Sequence, residues 1–192
     1  MSYEIHYLDV LKGLLSPLDP LMALIMFVVF IVGPGATVWV LKRSGKWSRY
    51  WWQVPVGPLI LITILLFGIW PQEGAGWRLT DGKLKIRAWP VSTTLDTKKI
   101  RAALVESSSP WRPVMRTNGY GTPGLCTGWC RLANGKKAVV FRHLRPPEMV
   151  LIEAGSRYYI ISHPGIEKLY DALIAQGAVQ WTADTGEGKG DV

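Results

Sequence analysis

Two long charge-free stretches dominate the first third of the sequence, at residues 20–41 and 51–70. A helix needs about 20 mostly apolar residues to cross the hydrocarbon core of a bilayer, and both stretches reach that length. Between them lies a short basic loop at residues 42–50. The pattern predicts a transmembrane hairpin over residues 20–71, with spans at 20–41 and 52–70, preceded by an N-terminal tail of residues 1–19.

The charge of this loop predicts an orientation. The loop carries Lys42, Arg43, Lys46 and Arg49, whereas the N-terminal tail carries one basic side chain, Lys12. Short loops rich in Lys and Arg stay on the cytoplasmic side of a membrane. The sequence therefore favours a multi-pass protein of the cytoplasmic membrane, with its C-terminal domain on the extracytoplasmic side.

After residue 71 the hydrophobic pattern changes from continuous to alternating. Residues 83–89 place Leu84, Ile86 and Ala88 on one face and charged side chains on the other, which is typical of a half-buried antiparallel strand. Asp81-Gly82 and Asn134-Gly135 are tight-turn pairs that predict hairpins. Strands at this spacing, without helices between them, indicate a mainly-β barrel or sandwich over residues 76–180, which we call the β domain.

The end of the β domain has helical periodicity. Five apolar residues recur at helical spacing and form one face: Ile166, Leu169, Tyr170, Leu173 and Ile174. Pro164 suits the first turn and Gly177 suits the stop. We therefore predict one amphipathic helix over residues 164–176 that closes the β domain. Residues 181–192 are polar and glycine-rich, which is typical of a disordered tail.

The turns and core positions of the β domain form a recognisable set. They are Asp81-Gly82 with Leu84-Lys85-Ile86, then Ile100, then Gly119, Gly121, Gly124 and Gly128, then Asn134-Gly135, and finally Tyr158-Tyr159-Ile160-Ile161-Ser162 before the helix. This set resembles the bacterial pleckstrin-homology-like (PH-like) domain family, in its membrane-anchored members with an N-terminal two-helix hairpin. The resemblance implies a PH-like β domain in a bacterial membrane protein, and it supplies no catalytic, cofactor-binding or metal-binding residues.

The charge of the chain points to anionic partners. The net charge is +8, and residues 98–145 carry ten basic side chains with Glu106 as the single acid. Such an excess of positive charge favours binding to anionic lipid headgroups or cell-envelope polymers. The run Lys83-x-Lys85-x-Arg87 is similar to the motif with which eukaryotic relatives hold inositol phosphates. However, a tight turn at Asp81-Gly82 leaves no loop to wrap a headgroup, so we do not expect that ligand.

Cys126 and Cys130 are the only cysteines. Residues four apart in a straight strand lie roughly 13 Å apart, too far for a disulfide, whereas a bulge or turn at Thr127-Gly128 would bring the two sulfurs together. A zinc site would need a second close pair of ligands, which His143 and His163 do not form in the sequence. The third interpretation is two small core residues on one strand face.

The glycine-rich run of residues 118–124 is expected to be a loop between strands, and the irregular segment around it contains the predicted binding surface, formed by Trp111, Arg112, Arg116 and Tyr120. The sequence contains no recognisable nucleophile or phosphate-binding motif, so we expect no enzymatic activity, no cofactor and no nucleic-acid partner. The leading hypothesis is a membrane-anchored binding or scaffolding module. It would contact membrane lipids and a membrane or envelope protein through strand edges or this segment. The alternative is a sensor of anionic lipid or polymer that uses the basic surface of residues 98–145.

Overall fold

The computed structural model describes residues 1–6, 9–10, 24, 27–122 and 124–183. The chain divides into two compact units, one of Met1–Leu14 with Gln72–Val192 and one of Leu15–Pro71. The described part of the Leu15–Pro71 unit is helical. Its elements are a π-helical turn (Val28–Val32), helix α1 (Gly33–Arg43), the short helix α2 (Trp47–Tyr50), a 3-10 turn (Trp51–Gln53) and helix α3 (Val56–Ile69).

The structure corrects the prediction of a transmembrane hairpin. Within the part of the chain that the structure describes, no helix is both long and apolar enough to cross a membrane. Helix α1 has 11 residues and helix α3 has 14. At 1.5 Å per residue, α3 rises only about 21 Å, against about 30 Å of hydrocarbon. The predicted spans at 20–41 and 52–70 are therefore wrong, and so is the multi-pass inner-membrane location that was inferred from them.

Each apolar stretch is divided by its local backbone. Helix α3 begins only at Val56, after the 3-10 turn Trp51–Gln53. In the first stretch, a π-helical turn precedes α1, which has a proline in its first turn. Hydropathy measures the length of an apolar run and not the length of a continuous helix. Residues 7, 8 and 11–19 of the predicted tail, and residues 20–23, 25 and 26 of the first predicted span, lie outside the described residues.

Four antiparallel strands form the first sheet of the other unit, in the order β1-β2-β3-β4. They are β1 (Ser2–Glu4), β2 (Gly76–Thr80), β3 (Lys83–Ala88) and β4 (Val91–Asp96). The alternation predicted for β3 is confirmed, because Leu84, Ile86 and Ala88 are buried and the residues between them are exposed. The Asp81-Gly82 turn joins β2 to β3 with both residues at positive φ, as a two-residue hairpin turn requires.

Seven strands form the second sheet, in the order β11-β5-β9-β10-β8-β7-β6. Neighbours are antiparallel, except that β10 runs parallel to β8 and β11 runs parallel to β5. The predicted hairpin at Asn134-Gly135 is confirmed and joins β7 to β8. The strands are β5 (Arg101–Glu106), β6 (Pro113–Thr122), β7 (Leu125–Leu132), β8 (Lys137–His143), β9 (Glu148–Ala154), β10 (Arg157–Ser162) and β11 (Val179–Gln180).

One helix, α4 (Glu167–Ala175), covers the second sheet and packs on β5 and β9. Its predicted apolar face is confirmed, because Ile166, Leu169 and Leu173 are fully buried. The two sheets meet where β3 contacts β8, so the mainly-β sandwich with one closing helix is present. Trp181 lies beyond the helix and donates its backbone N–H to the Ala102 carbonyl at 2.9 Å. Residues 184–192 of the predicted disordered tail lie outside the described residues.

Candidate functional site

Strand β6 is the exposed edge of the second sheet. Within the described residues it pairs only with β7, so one side of its backbone faces no strand. Residues 114–118 are exposed in succession, with Val114 and Met115 at 55% and 53% exposure. Since successive side chains of a strand point to opposite faces, this run leaves both faces of the edge open. The arrangement offers backbone donors and acceptors next to apolar side chains.

The four residues of the predicted binding surface occupy three different environments. Trp111 is 4% exposed and lies in the core, where its ring contacts Tyr158 and Trp181. Arg112 is exposed, and its Nη1 donates to the Ser108 carbonyl at 3.3 Å. Tyr120 on β6 is half-buried, and this burial raises the pKa of its phenol. The structure therefore leaves Arg112 and Arg116 as the freely accessible members of this set.

Arg116 belongs to β6 and folds back along it. Its guanidinium lies against Gly121, in the space that a Cβ at that position would occupy. The β6–β7 register is irregular between Pro113 and Met115 and again between Arg116 and Asn118. Such bulges turn an edge strand and increase its twist. The exposed part of β6 is thus a twisted ribbon with an arginine on its surface.

A cationic cleft lies in the first sheet, at the end of β3 away from the Asp81-Gly82 turn. Its volume is about 190 Å³. It is lined by Glu4, Gly74, Gly76, Trp77, Arg78, Lys85 and Arg87. Arg78 and Lys85 are paired across β2 and β3, and Arg87 is opposite Gly76. The Arg78 Nη2 atom forms an ion pair with Glu4 Oε1 at 2.8 Å. Lys85 and Arg87 therefore supply the positive charge that no carboxylate of this lining neutralises.

The glycines of this cleft make room for its charged and main-chain groups. The Arg87 Nη1 lies 3.0 Å from where a Cβ of Gly74 would stand. At Gly76 a Cβ would run into the backbone of strand β1. Both glycines have positive φ, at 69° and 151°. The cleft therefore depends on β1 being paired with β2, which brings Glu4 to its wall.

A cluster of four aromatic rings attaches β1 to the β domain. The Tyr3 hydroxyl lies 2.6 Å from His143 Nδ1, and its ring stacks on His163 at 3.8 Å between centroids. Trp77 Nε1 donates to His163 Nε2 at 2.9 Å. Burial lowers the pKa of both histidines, which favours the neutral form that accepts these hydrogen bonds. The cluster holds together segments that are far apart in the sequence.

The two cysteines lie four residues apart in β7 with their sulfurs close together. Both are free thiols, and their Sγ atoms are 3.8 Å apart. The hydrogen bond with Cys130, acting with nearby Arg142 and Arg116 against the opposing effect of burial, lowers the pKa of the Cys126 thiol to about 7. The same hydrogen bond and burial raise the pKa of Cys130. Among the described residues, no group of three His, Cys, Asp or Glu side chains is arranged to hold a metal ion.

Comparison with known families accounts for this architecture. Residues 76–176 match the family model described as a bacterial PH domain. The chain belongs to the bacterial PH domain family. The match begins at β2 and ends at the C-terminal end of α4, so it covers the β sandwich and its closing helix. No curated protein and no solved structure gives a significant match.

The family assignment suggests a general class of function, a binding or scaffolding module. PH domains are in general non-catalytic modules that bind lipids or proteins. The assignment supports the PH-like part of the sequence prediction and gives no support to the N-terminal transmembrane hairpin. Sequence reasoning missed strand β1 and the aromatic cluster, and it singled out Lys85 and Arg87 without finding the cleft that they line. The one local signal was the alternation of Tyr3 and Ile5 with polar neighbours, and it is too short to predict a strand.

Proposed function

We propose that this PH domain is a non-enzymatic module that binds an extended, acidic segment of a partner protein along β6. The observation that carries the proposal is that this ten-residue edge strand pairs on only one side among the described residues. A peptide that adds to a sheet edge gains main-chain hydrogen bonds along its length, and its alternate side chains contact the sheet surface. The exposed Val114 and Met115 supply apolar contacts for those side chains.

The charge of the surrounding surface selects the chemistry of the partner. Arg112 and Arg116 are exposed at or next to β6, and residues 98–145 contain ten basic side chains against one acid. An acidic segment is attracted by this field, whereas a basic one is repelled. Natural proteins usually protect long edge strands with charges, prolines or bulges. In β6 the two irregularities of the register with β7 lie within Pro113–Asn118. The pairing from Asn118 to Thr122 is regular, so no bulge protects that part of the edge.

The test is a selection of extended peptides on the full chain. A displayed library of random peptides as long as β6 is selected for binding to the full chain. The selected peptides are then resynthesised with alternate backbone nitrogens methylated. We expect acidic winners whose binding is lost on methylation, because a methylated nitrogen cannot donate to a strand. Arg116→Glu should weaken binding by roughly tenfold, as for the loss of one charged contact, while Arg157→Glu, in the β9–β10 hairpin, should not. Winners that bind equally after methylation would contradict the proposal.

A second candidate function is favoured by the cationic cleft. Lys85 and Arg87 face a cavity of about 190 Å³ in which only Arg78 has a carboxylate partner among the lining residues. This geometry suits an anionic group such as a phosphate, carried by a lipid headgroup or free in solution. The cleft lies outside the basic residues 98–145 of the sequence-based alternative, so it is a separate candidate site.

The cleft is tested with inorganic phosphate and with vesicles. Vesicles of phosphatidylglycerol in phosphatidylcholine are compared with phosphatidylcholine alone, and phosphate is titrated separately. Lys85→Gln or Arg87→Gln should reduce binding by about tenfold. Lys83→Gln is the matched control, because Lys83 is exposed on the same strand but does not line the cleft. Binding of vesicles alone identifies a lipid, and binding of phosphate alone identifies a soluble anion. Equal losses of binding in Lys85→Gln, Arg87→Gln and Lys83→Gln would refute binding of the anion at the cleft.

A further inference from the structure

We propose that Cys126 and Cys130 are a redox pair that is a dithiol in this structure and closes to an intramolecular disulfide by exchange with a small-molecule disulfide. The inference is independent of what β6 or the cleft binds. It rests on the short distance between the two sulfurs, the side chains opposite each cysteine and the difference in exposure between the two residues.

The two sulfurs are closer together than a straight strand would hold them. Residues four apart in an extended strand are separated by roughly 13 Å, yet the two Sγ atoms are 3.8 Å apart. Gly128 lies midway between them with φ of 107°, and it faces Gly119 of β6, with φ of 132°. A Cβ at either glycine would collide with the backbone of the other strand. The backbones therefore approach so closely that only glycine fits, and we infer from the short distance between the sulfurs that β7 bends between the two cysteines.

The remaining distance to a disulfide is short. The S–S bond measures about 2.05 Å, so the sulfurs must approach by less than 2 Å from their separation of 3.8 Å. Both side chains already point to the same region of the core, with Ala138 and Val140 of β8 beside them. Rotation of the two side chains and a small increase of the bend at Gly128 can supply this movement.

Two arginines lie close enough to Cys126 to act on its charge. Cys126 is opposite Gly121 of β6 and Arg142 of β8. Arg116, which is opposite Cys130, extends its guanidinium over Gly121. Positive charge next to a thiol favours the thiolate, which is the nucleophile in exchange. Cys126 is 8% exposed and Cys130 is 1% exposed, so Cys126 is the attacking residue and Cys130 resolves the intermediate.

The exchange proceeds in two steps. The Cys126 thiolate attacks one sulfur of a small-molecule disulfide, such as oxidised glutathione, forming a mixed disulfide and releasing one thiolate. Cys130 then gives its proton to solvent, and its thiolate attacks Cys126 Sγ, which breaks the mixed disulfide and releases the second thiolate. The two cysteines lose two electrons and two protons in total. The small-molecule disulfide gains them and becomes two thiols.

The test follows the mass of a single tryptic peptide of the full chain. Residues 117–131 contain both cysteines between successive cleavage sites. The reduced chain is incubated with oxidised glutathione in its native state, and free thiols are then blocked with N-ethylmaleimide. We expect an unblocked peptide two hydrogens lighter than the dithiol form, which dithiothreitol restores. Cys130→Ser should instead stop at a mixed disulfide on Cys126, because the resolving thiol is missing.

The role of the arginines is measured by rate. In the Cys130→Ser background, Arg142→Gln should slow alkylation of Cys126 at neutral pH by roughly 3- to 10-fold, whereas Arg157→Gln should leave it unchanged. The wild-type mass measurement needs no substitution, so it decides the question even if the serine variant does not fold. Two thiols that react only in denaturant would identify inert core residues and overturn the proposal. A disulfide between two chains would overturn it as well.

Discussion

Replacing Tyr3 with alanine should destabilise the β domain, although Tyr3 lies far outside the residues that match the family. Tyr3 pairs with Trp77 in the β1–β2 ladder, its hydroxyl contacts His143 and its ring stacks on His163. Loss of one hydrogen bond costs about 1 kcal/mol. Truncation of a fully buried aromatic ring costs about 3–5 kcal/mol. Because Tyr3 is only half-buried, its ring should contribute about 2 kcal/mol.

We therefore expect Tyr3→Ala to lower the free energy of unfolding by about 3 kcal/mol and Tyr3→Phe by about 1 kcal/mol, since phenylalanine keeps the stacked ring and loses only the hydroxyl. Urea unfolding of the full chain, followed by near-ultraviolet circular dichroism, measures both values by linear extrapolation. Ser2→Ala is the matched control, because Ser2 is exposed on the same strand. If Tyr3→Ala and Ser2→Ala have equal stability with an unchanged denaturant dependence, β1 does not stabilise the domain and the reasoning is refuted.

Three further outcomes are expected. Burial holds the pKa of His143 and His163 below the ordinary 6.5, so the unfolded chain binds protons first and stability should fall as the pH drops below about 6.5; a flat urea midpoint between about pH 7.5 and 5.5 would contradict this. Gly128→Ala should destabilise by several kcal/mol more than Gly135→Ala, since both have positive φ but only the former meets backbone atoms; equal unfolding free energies would exclude the close approach. Leu151→Ala, at a fully buried site, should cost about 2–5 kcal/mol in the same assay, and a loss below about 1 kcal/mol would show that the site is not packed.

Short-range patterns predicted the local elements of the β domain. The hairpins at Asp81-Gly82 and Asn134-Gly135 and the apolar face of α4 are properties of residues close in sequence. A turn needs the right backbone conformation at two residues, and a helix face needs a repeat of side chains, so neither depends on distant segments. The same local reasoning failed for the apolar stretches before residue 71. There the composition favoured two long helices, whereas the backbone forms shorter ones that begin after a proline or a π-helical turn.

The sites depended on contacts that no local pattern contains. The cleft exists because Glu4 is brought beside Gly76 and Arg78 by the pairing of β1 with β2. The sequence left a disulfide, a zinc site and a pair of core residues as alternatives for Cys126 and Cys130, because the close approach of Gly128 to Gly119 joins two different strands. Trp111 was predicted on a binding surface but packs against Trp181, which follows the last helix.

The sequence by itself determined the β periodicity, the tight turns, the closing helix and the positive charge of this PH domain. The tertiary structure alone decided which strand became an exposed edge, which cations share a cleft and which thiols meet. The physical reason is the range of the interactions. Turn conformation and side-chain periodicity act over a few residues, whereas edges, clefts and sulfur pairs are set by backbone hydrogen bonds and close packing between segments far apart in the chain.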